Sequence, residues 1–467
     1  MLVSIIMSAS LKQRLIAYIQ ERPYKELLSM GFPIIMGQVG VIIVSFIDNI
    51  MVGRYHTDHF AAASFVNNLF ALVYVLGIGF AYGLTPLVTT AWTQGRKYKA
   101  GALLRHSLGL NLLLALLCTA FMLILYCFLD KLGLSQQLLP IARPYYILQI
   151  ISFLFFMSFN AFKQYFDGIG RTAIGMWSIV LANIVNICGN YLLIYGHWGL
   201  PEWGLFGAGL ATLLSRVLVF MLICGVFFLG SKYADSAKGF LSRAWSRRAC
   251  VRLLKIGVPV GLYSGVETTS FTIALLMVTQ LGILPLATHQ ILCVVTTIGF
   301  FIYYGLGAAT TILVSKYRTL GDFAKVQEVG TAGLSLCIVA AVVAMAVMLI
   351  TRNFIGYLFT EDKALVAMTS IALIPVILYQ LGDAIQVLYA NALRGMEDVT
   401  HLAIYASLCH LLLEPALAYT FGFHLGLSHP SEQLTAIWSA FPIGLLTLGV
   451  LLRVRFKRIT ASGEPTS

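Results

Sequence analysis

Twelve separate stretches of this chain are long and apolar enough to cross a bilayer, and that repetition excludes most folds at once. Apolar windows of about 18 residues or more recur near 31–52, 61–87, 106–129, 144–162, 173–195, 205–230, 256–281, 287–314, 329–350, 365–392, 401–421 and 433–452. Inside a bilayer the backbone must satisfy its own polar groups, so windows of this length read as helices. The expectation is an all-α integral membrane protein with twelve transmembrane helices. Composition agrees: the 467 residues are 59% hydrophobic and 11% charged, and the mean hydropathy of +0.86 lies far from that of a soluble domain.

The formal net charge of +12 invites a nucleic-acid reading, which the placement of the charges opposes. Arg216 falls inside a window, and only Arg54, Lys131, Arg143, Arg352 and Lys363 fall on one face of the membrane; every other Lys and Arg falls on the opposite face. Basic residues collect on the cytoplasmic side, so both termini are expected there and the excess reports topology, with no nucleic-acid partner. The first 26 residues offer no compact apolar core of a signal peptide and read as an amphipathic cytoplasmic lead-in. The eight cysteines have no paired spacing and read as small core residues. No Walker loop, HExxH or Ser-His-Asp set appears, so neither an enzyme nor direct ATP drive is expected.

The chain also repeats itself. LLSMGFP at 27–33 returns as LLKIGVP at 253–259, and the offset of 226 places Thr85 on Thr311 and Gly79 on Gly305; further along it becomes 227 and places Gly168 on Gly395. Two copies of six helices that start on the same side are parallel repeats. The segmentation that follows is an N-terminal lobe over 27–230, a basic linker over 231–255, a C-terminal lobe over 256–455 and a tail over 456–467. Two such bundles around a central cleft are an architecture for alternating access.

Of nineteen acids, four lie well inside windows: Asp48, Glu267, Asp383 and Glu414. An acid at mid-bilayer costs on the order of 3 kcal/mol, so such residues mark ion or substrate paths. The repeat sharpens this. The positions equivalent to Asp48 and Glu267 are Ala274 and Val41, so each half acquired its own acid. Tyr379, Asp383 and Gln386 share one helical face, and Glu267 has Tyr263 and Ser270 on its own. If those faces met, two carboxylates would form a site for a proton or a small cation, with Na+ one candidate metal at Glu267 and Asp383. Asn183, Asn186 and Asn190 form a stripe that either joins helices or, with Asp48 and Thr212, lines a polar pocket. Glu414 follows His410 by one turn, so the two read as a local pair and as candidates for additional titrating groups. Phe300 opens an aromatic run, FFIYYG, that either packs or lines a cleft for flat cations.

At this point a family enters. The opening GFPIIMGQVGVIIVSFIDNIMVGRYHTDHFAAASF, the stripe NxxxNYLLIYG, then GLFGAGLAT, VPVGLYSGVE and YQLGDAIQVLYANALRG resemble the multidrug and toxic compound extrusion (MATE) family in its bacterial NorM-type branch. The resemblance implies a monomer in the bacterial cytoplasmic membrane, surrounded by lipid, that extrudes organic, mainly cationic amphipathic drugs by antiport of Na+ or H+, with no cofactor. It implies a cation site at Glu267, Tyr379 and Asp383 with Phe300 nearby, and a proton or substrate network at Asp48, Asn186, Asn190 and Thr212. His410 and Glu414 depart from its pattern. Two rivals stand beside this reading: a major-facilitator antiporter, whose loop TQGRKYKAG mimics, and a lipid-linked saccharide flippase, which carries cations in its cavity where this chain offers Arg216 alone.

Overall fold

The structure, a computed structural model, describes residues 23–242 and 244–463. The lead-in up to residue 22 and the last four residues of the tail lie outside the described residues.

Twelve helices span the apolar windows: α1 Tyr24–Tyr55, α2 Thr57–Thr93, α3 Lys97–Cys127, α4 Gln136–Gly168, α5 Thr172–Tyr195, α6 Gly204–Leu229, α7 Arg247–Thr279, α8 Ile283–Thr319, α9 Phe323–Thr351, α10 Lys363–Gly395, α11 Val399–Phe423 and α12 Pro430–Ser462. No strand occurs among the described residues. The helices carry large apolar side chains outward, as on α3, where Leu116, Leu117, Phe121 and Ile124 are exposed and would be covered by lipid. The same solvent explains the cysteines. Cys337 and Cys409 are buried, but Cys127 and Cys188 face outward, because beside a lipid tail an outward thiol is as apolar a choice as an inward one.

Several helices run past their windows, and the overhang changes the count of internal charges. Within those overhangs Lys163 and Asp167 of α4 and Arg394 of α10 are charged residues that are nevertheless buried. The windows at 144–162 and 365–392 stop short of these residues because charges end a hydropathy signal. The charged groups there have partners: Lys163 Nζ lies 2.7 Å from Asp167 Oδ2, and Arg394 Nη1 donates to the neutral amide oxygen Asn391 Oδ1 at 2.9 Å.

By packing, the chain divides into two units, Met36–Thr268, and Thr269–Ser467 together with the residues up to Ile35. The division cuts through α1 and α7, the first helix of each copy, whereas the sequence repeat alone places it at the linker. In the unit Met36–Thr268, the start of α7 seats Gly257 and Gly261 against Gly83 and Gly79 of α2. A Cβ on Gly83 would lie 2.8 Å from the Gly257 backbone, so the approach requires glycine. In the other unit the start of α1 does the same: Gly31 packs on the Gly305 carbonyl, and Glu26 accepts from Lys316 and Tyr317 at 3.4 Å.

Each unit has its own core. Phe70, Tyr146, Phe153 and Met157 lie at the centre of one, and Leu292, Val376, Trp438 and Phe441 at the centre of the other. The repeat is written in hydrogen bonds as well. Thr85 Oγ1 donates to Gln164 Oε1 at 2.8 Å, and Thr311 Oγ1 to Asn391 Oδ1 at 3.2 Å. Thr89 Oγ1 donates to the Gly168 carbonyl at 2.7 Å, and Ser315 Oγ to the Gly395 carbonyl at 3.0 Å. Between the copies, part of the linker folds. A short helix, Ala234–Leu241, lies on α3, where Ser236 Oγ donates to the Lys97 carbonyl at 2.9 Å, and α7 begins within the linker at Arg247.

Candidate functional site

The unit Met36–Thr268 joins four of the sequence-selected residues into one chain of bonds. Asn190 Nδ2 donates to Asp48 Oδ1 at 2.5 Å and to Asn186 Oδ1 at 3.3 Å. Asn186 Nδ2 reaches Thr212 Oγ1 at 3.4 Å, and the Thr212 hydroxyl donates to the Ala208 carbonyl at 2.9 Å. The geometry follows from the helical period, since Asn186 and Asn190 are one turn apart on α5 and can address α1 and α6 together. Both asparagines are buried, whereas Asp48 is half-buried. This arrangement fixes one carboxylate oxygen with an amide donor and leaves Asp48 facing a cavity.

That cavity has a volume of about 440 Å³ and is lined by Asp48, Asn183, Asn186, Thr212 and Asn67, among others. Its walls are also aromatic, with Tyr74, Tyr145, Phe156 and Phe159. Tyr145 donates to Asn67 Oδ1 at 3.0 Å, and Tyr74 to Gln149 Oε1 at 3.2 Å. A cavity of this size and mixed lining suits an amphipathic small molecule. Sequence reasoning missed Tyr74, Gln149 and Lys163, and used Arg216 only against a rival. The signal for Arg216 was present: it follows Thr212 by one turn and so lies on the same face of α6.

In the other unit, α10 places Asp383 at 0% exposure, with Tyr379 and Gln386 also buried. Gln386 Nε2 donates to Asp383 Oδ1 at 3.2 Å. Gln380, three residues before Asp383, accepts from the Tyr303 hydroxyl of α8 at 2.9 Å, which ties α10 to α8. Tyr379 lies edge-on to Phe271, with ring centroids 6.4 Å apart. Phe300 is half-buried on α8 and stacks on Tyr304 at 6.0 Å. Glu267 is half-buried on α7 and belongs to the unit Met36–Thr268.

His410 and Glu414 do form a pair. The His410 Nδ1 lies 2.9 Å from Glu414 Oε2, and each side chain is 2% exposed. Ser270, which the sequence did not connect to them, donates to the same oxygen at 2.6 Å. α11 widens into a π-helical turn over Leu408–Leu413, just before Pro415. Gly444 of α12 makes room for the acid, because a Cβ there would lie 2.2 Å from Glu414 Cγ. No group of three or more His, Cys, Asp or Glu that could hold a metal occurs among the described residues.

Comparison with known proteins agrees with this architecture. The family model MatE matches residues 33–192 and 259–420, once in each copy of the repeat. The chain is 28% identical over 442 residues to a protein of Photorhabdus laumondii named probable multidrug resistance protein NorM, covering 93% of this chain and 96% of that one. It is also 28% identical over 443 residues to multidrug resistance protein PmpM of Pseudomonas aeruginosa, covering 93% and 91%. Among solved structures, it resembles an outward-facing multidrug resistance MATE family transporter of the MOP superfamily, with a TM-score of 0.85 at 18% identity over 95% of this chain and 97% of that one. A MOP superfamily transporter from Pyrococcus furiosus gives the same TM-score, 0.85, at 18% identity, again covering 95% and 97%.

Proposed function

This chain belongs to the MatE family, and from that membership we propose a secondary active exporter of organic, mainly cationic amphipathic compounds, driven by antiport of Na+ or H+ through alternating access. The chain is a multi-pass membrane protein of the multidrug efflux transporter family. In the proposed orientation both termini are cytoplasmic and the membrane is the bacterial inner one, in keeping with the basic bias of one face.

The observation that carries the reading is the bonded chain Asp48–Asn190–Asn186–Thr212 opening on an aromatic cavity. It supports a substrate site in which Asp48 meets a cationic group or a proton while amides and rings hold the rest. Asp383, with Tyr379 beside it, and Glu267 handle the coupling cation, with Phe300 a companion on α8. His410 and Glu414 are proposed as an additional titrating pair. One elementary charge moving through about 100 mV is worth roughly 2.3 kcal/mol, enough to bias two conformations of comparable free energy by tens of fold.

Dye accumulation in everted vesicles, with the Na+ and proton gradients imposed separately, tests this. Accumulation that follows one gradient identifies the coupling ion, and accumulation that follows neither refutes secondary transport. A second reading, a lipid-linked saccharide flippase, is favoured by Arg216 and Lys163 on the cavity wall. It is weakened by Asp167, which already pairs Lys163.

A further inference from the structure

The first turns of α7 carry two faces that meet different surroundings. Leu253, Ile256, Gly257, Val260 and Gly261 are buried, and the two glycines seat this side on α2. The opposite side carries Arg247, Arg248, Arg252 and Lys255, all exposed, along a groove of about 530 Å³ that these four cations line together with Val251. Arg247, Arg248 and Lys255 form no ion pair among the described residues, and the linker over 231–255 contains a single acid, Asp235. With 3.6 residues per turn, the exposed side chains of Val251, Val258 and Leu262 continue the cationic face into the apolar part of the helix.

Topology alone does not demand this concentration of charge. Under the offset of 226, the positions in the first copy that correspond to the four cations are Glu21, Arg22, Glu26 and Ser29, two acids against one base, although that copy starts on the same side of the membrane. The level of the patch is marked independently. Trp245, 58% exposed, precedes α7 by two residues, and its ring lies 5.9 Å from the guanidinium carbon of Arg105 on α3. An exposed tryptophan beside a membrane span favours the headgroup layer. Arg247 and Arg248 follow at that level, and the long side chain of Lys255, about 12 Å further along the axis, reaches back to it by snorkelling.

We propose that this face of α7 is a binding site for one anionic glycerophospholipid, with the lipid phosphate among Arg247, Arg248 and Lys255 and an acyl chain along Val258 and Leu262. The aliphatic stripe accepts any lipid tail, whereas the cations select a headgroup with net negative charge. A lipid held there covers the outer side of the turns whose inner side packs on α2, and so keeps α7 seated. The site does not depend on the export reading; in the proposed orientation the lipid belongs to the cytoplasmic leaflet.

Native mass spectrometry of the purified full-length protein, released from micelles that contain equal amounts of phosphatidylglycerol and phosphatidylcholine, tests this. The parent is expected to retain phosphatidylglycerol in preference. Arg247→Gln, Arg248→Gln and Lys255→Gln together should lower that preference by on the order of a hundredfold, while Arg247→Lys with Arg248→Lys keeps the charges and most of the preference. Removal of three other exposed cations from the same side, by Arg96→Gln, Lys99→Gln and Lys238→Gln, should leave it intact. An equal loss in that control assigns the preference to the general field of the basic side and overturns the site, as does an unaltered preference in the variant at 247, 248 and 255. All the substituted side chains are exposed, so each variant should unfold at the parent's temperature in uncharged detergent. Glycerol 3-phosphate separates a lipid from a soluble anion: phosphatidylglycerol that stays bound in its excess supports the lipid site, and displacement at concentrations comparable to the lipid's shows a phosphate site with no use for the acyl chains and overturns the proposal.

Discussion

Removing one member of the Lys163–Asp167 pair should unfold the protein far more readily than removing both. The two side chains are 9% and 7% exposed, and their charged atoms are 2.7 Å apart. The second carboxylate oxygen of Asp167, Oδ1, accepts no hydrogen bond among the described residues, so the acid depends on Lys163 for its compensation. Lys163→Met leaves a buried carboxylate with no counter-charge, and the expected cost is about 3–5 kcal/mol. Asp167→Leu leaves a buried ammonium and costs a similar amount. The double variant buries two apolar side chains of comparable volume, and its stability should return to within about 1 kcal/mol of the parent or exceed it. Equilibrium unfolding in mixed detergent micelles gives the four free energies, and the coupling energy of the cycle should be several kcal/mol. Single variants that each cost less than about 1 kcal/mol, or a double variant that costs their sum, would refute the description of this pair as mutually compensated.

Three further outcomes are expected. Asp383→Asn should abolish energised dye efflux while the protein still reaches the membrane and elutes as a single species from a sizing column; undiminished efflux would remove Asp383 from the coupling step. Glu267→Gln combined with Asp383→Asn should be no more damaging to efflux than the worse single variant, as the proposed single coupling step requires, and free energies that simply add would show independent roles. Gly168→Ala and Gly395→Ala should each destabilise by about 1–3 kcal/mol, since the new Cβ would meet the Thr85 carbonyl at 3.0 Å and the Thr311 carbonyl at 2.8 Å. Thermal denaturation should show the larger loss at Gly395, and no loss at either position would mean that these helices can separate freely.

The sequence exposes what helical periodicity encodes and hides what tertiary packing decides. Twelve spans follow from apolar length, and the stripe Asn186, Asn190 converges with Asp48 and Thr212 because residues a turn apart share a face. His410 and Glu414 were readable for the same reason, but the Ser270 hydroxyl on their shared oxygen comes from another helix, and no local pattern announces it. Lys163 and Asp167 escaped because their charges ended the very hydropathy window that would have enclosed them. The repeat reveals which positions correspond, yet it is silent on which turns pack against which. Hence the division at Ile35 and Thr268 could not be seen in a sequence offset that runs straight through both points. Arg216 is visible in the sequence as a charge in an apolar span, but its hydrogen-bond partners Tyr74, Ser152 and Gln149 lie on other helices, and no local pattern announces them.

The crossed membership of α1 and α7 also sets an order for synthesis. The turns around Gly31 are among the earliest described residues to leave the ribosome, yet the Gly305 carbonyl against which they pack belongs to the second copy. Until α8 is made, the beginning of α1 must wait in the membrane without its mate. The unit Met36–Thr268 is likewise incomplete until Gly257 and Gly261 arrive on α7. Neither half of the duplicated sequence can therefore finish folding from its own residues, and a chain interrupted at the basic linker would leave a nascent product with two unmatched glycine faces.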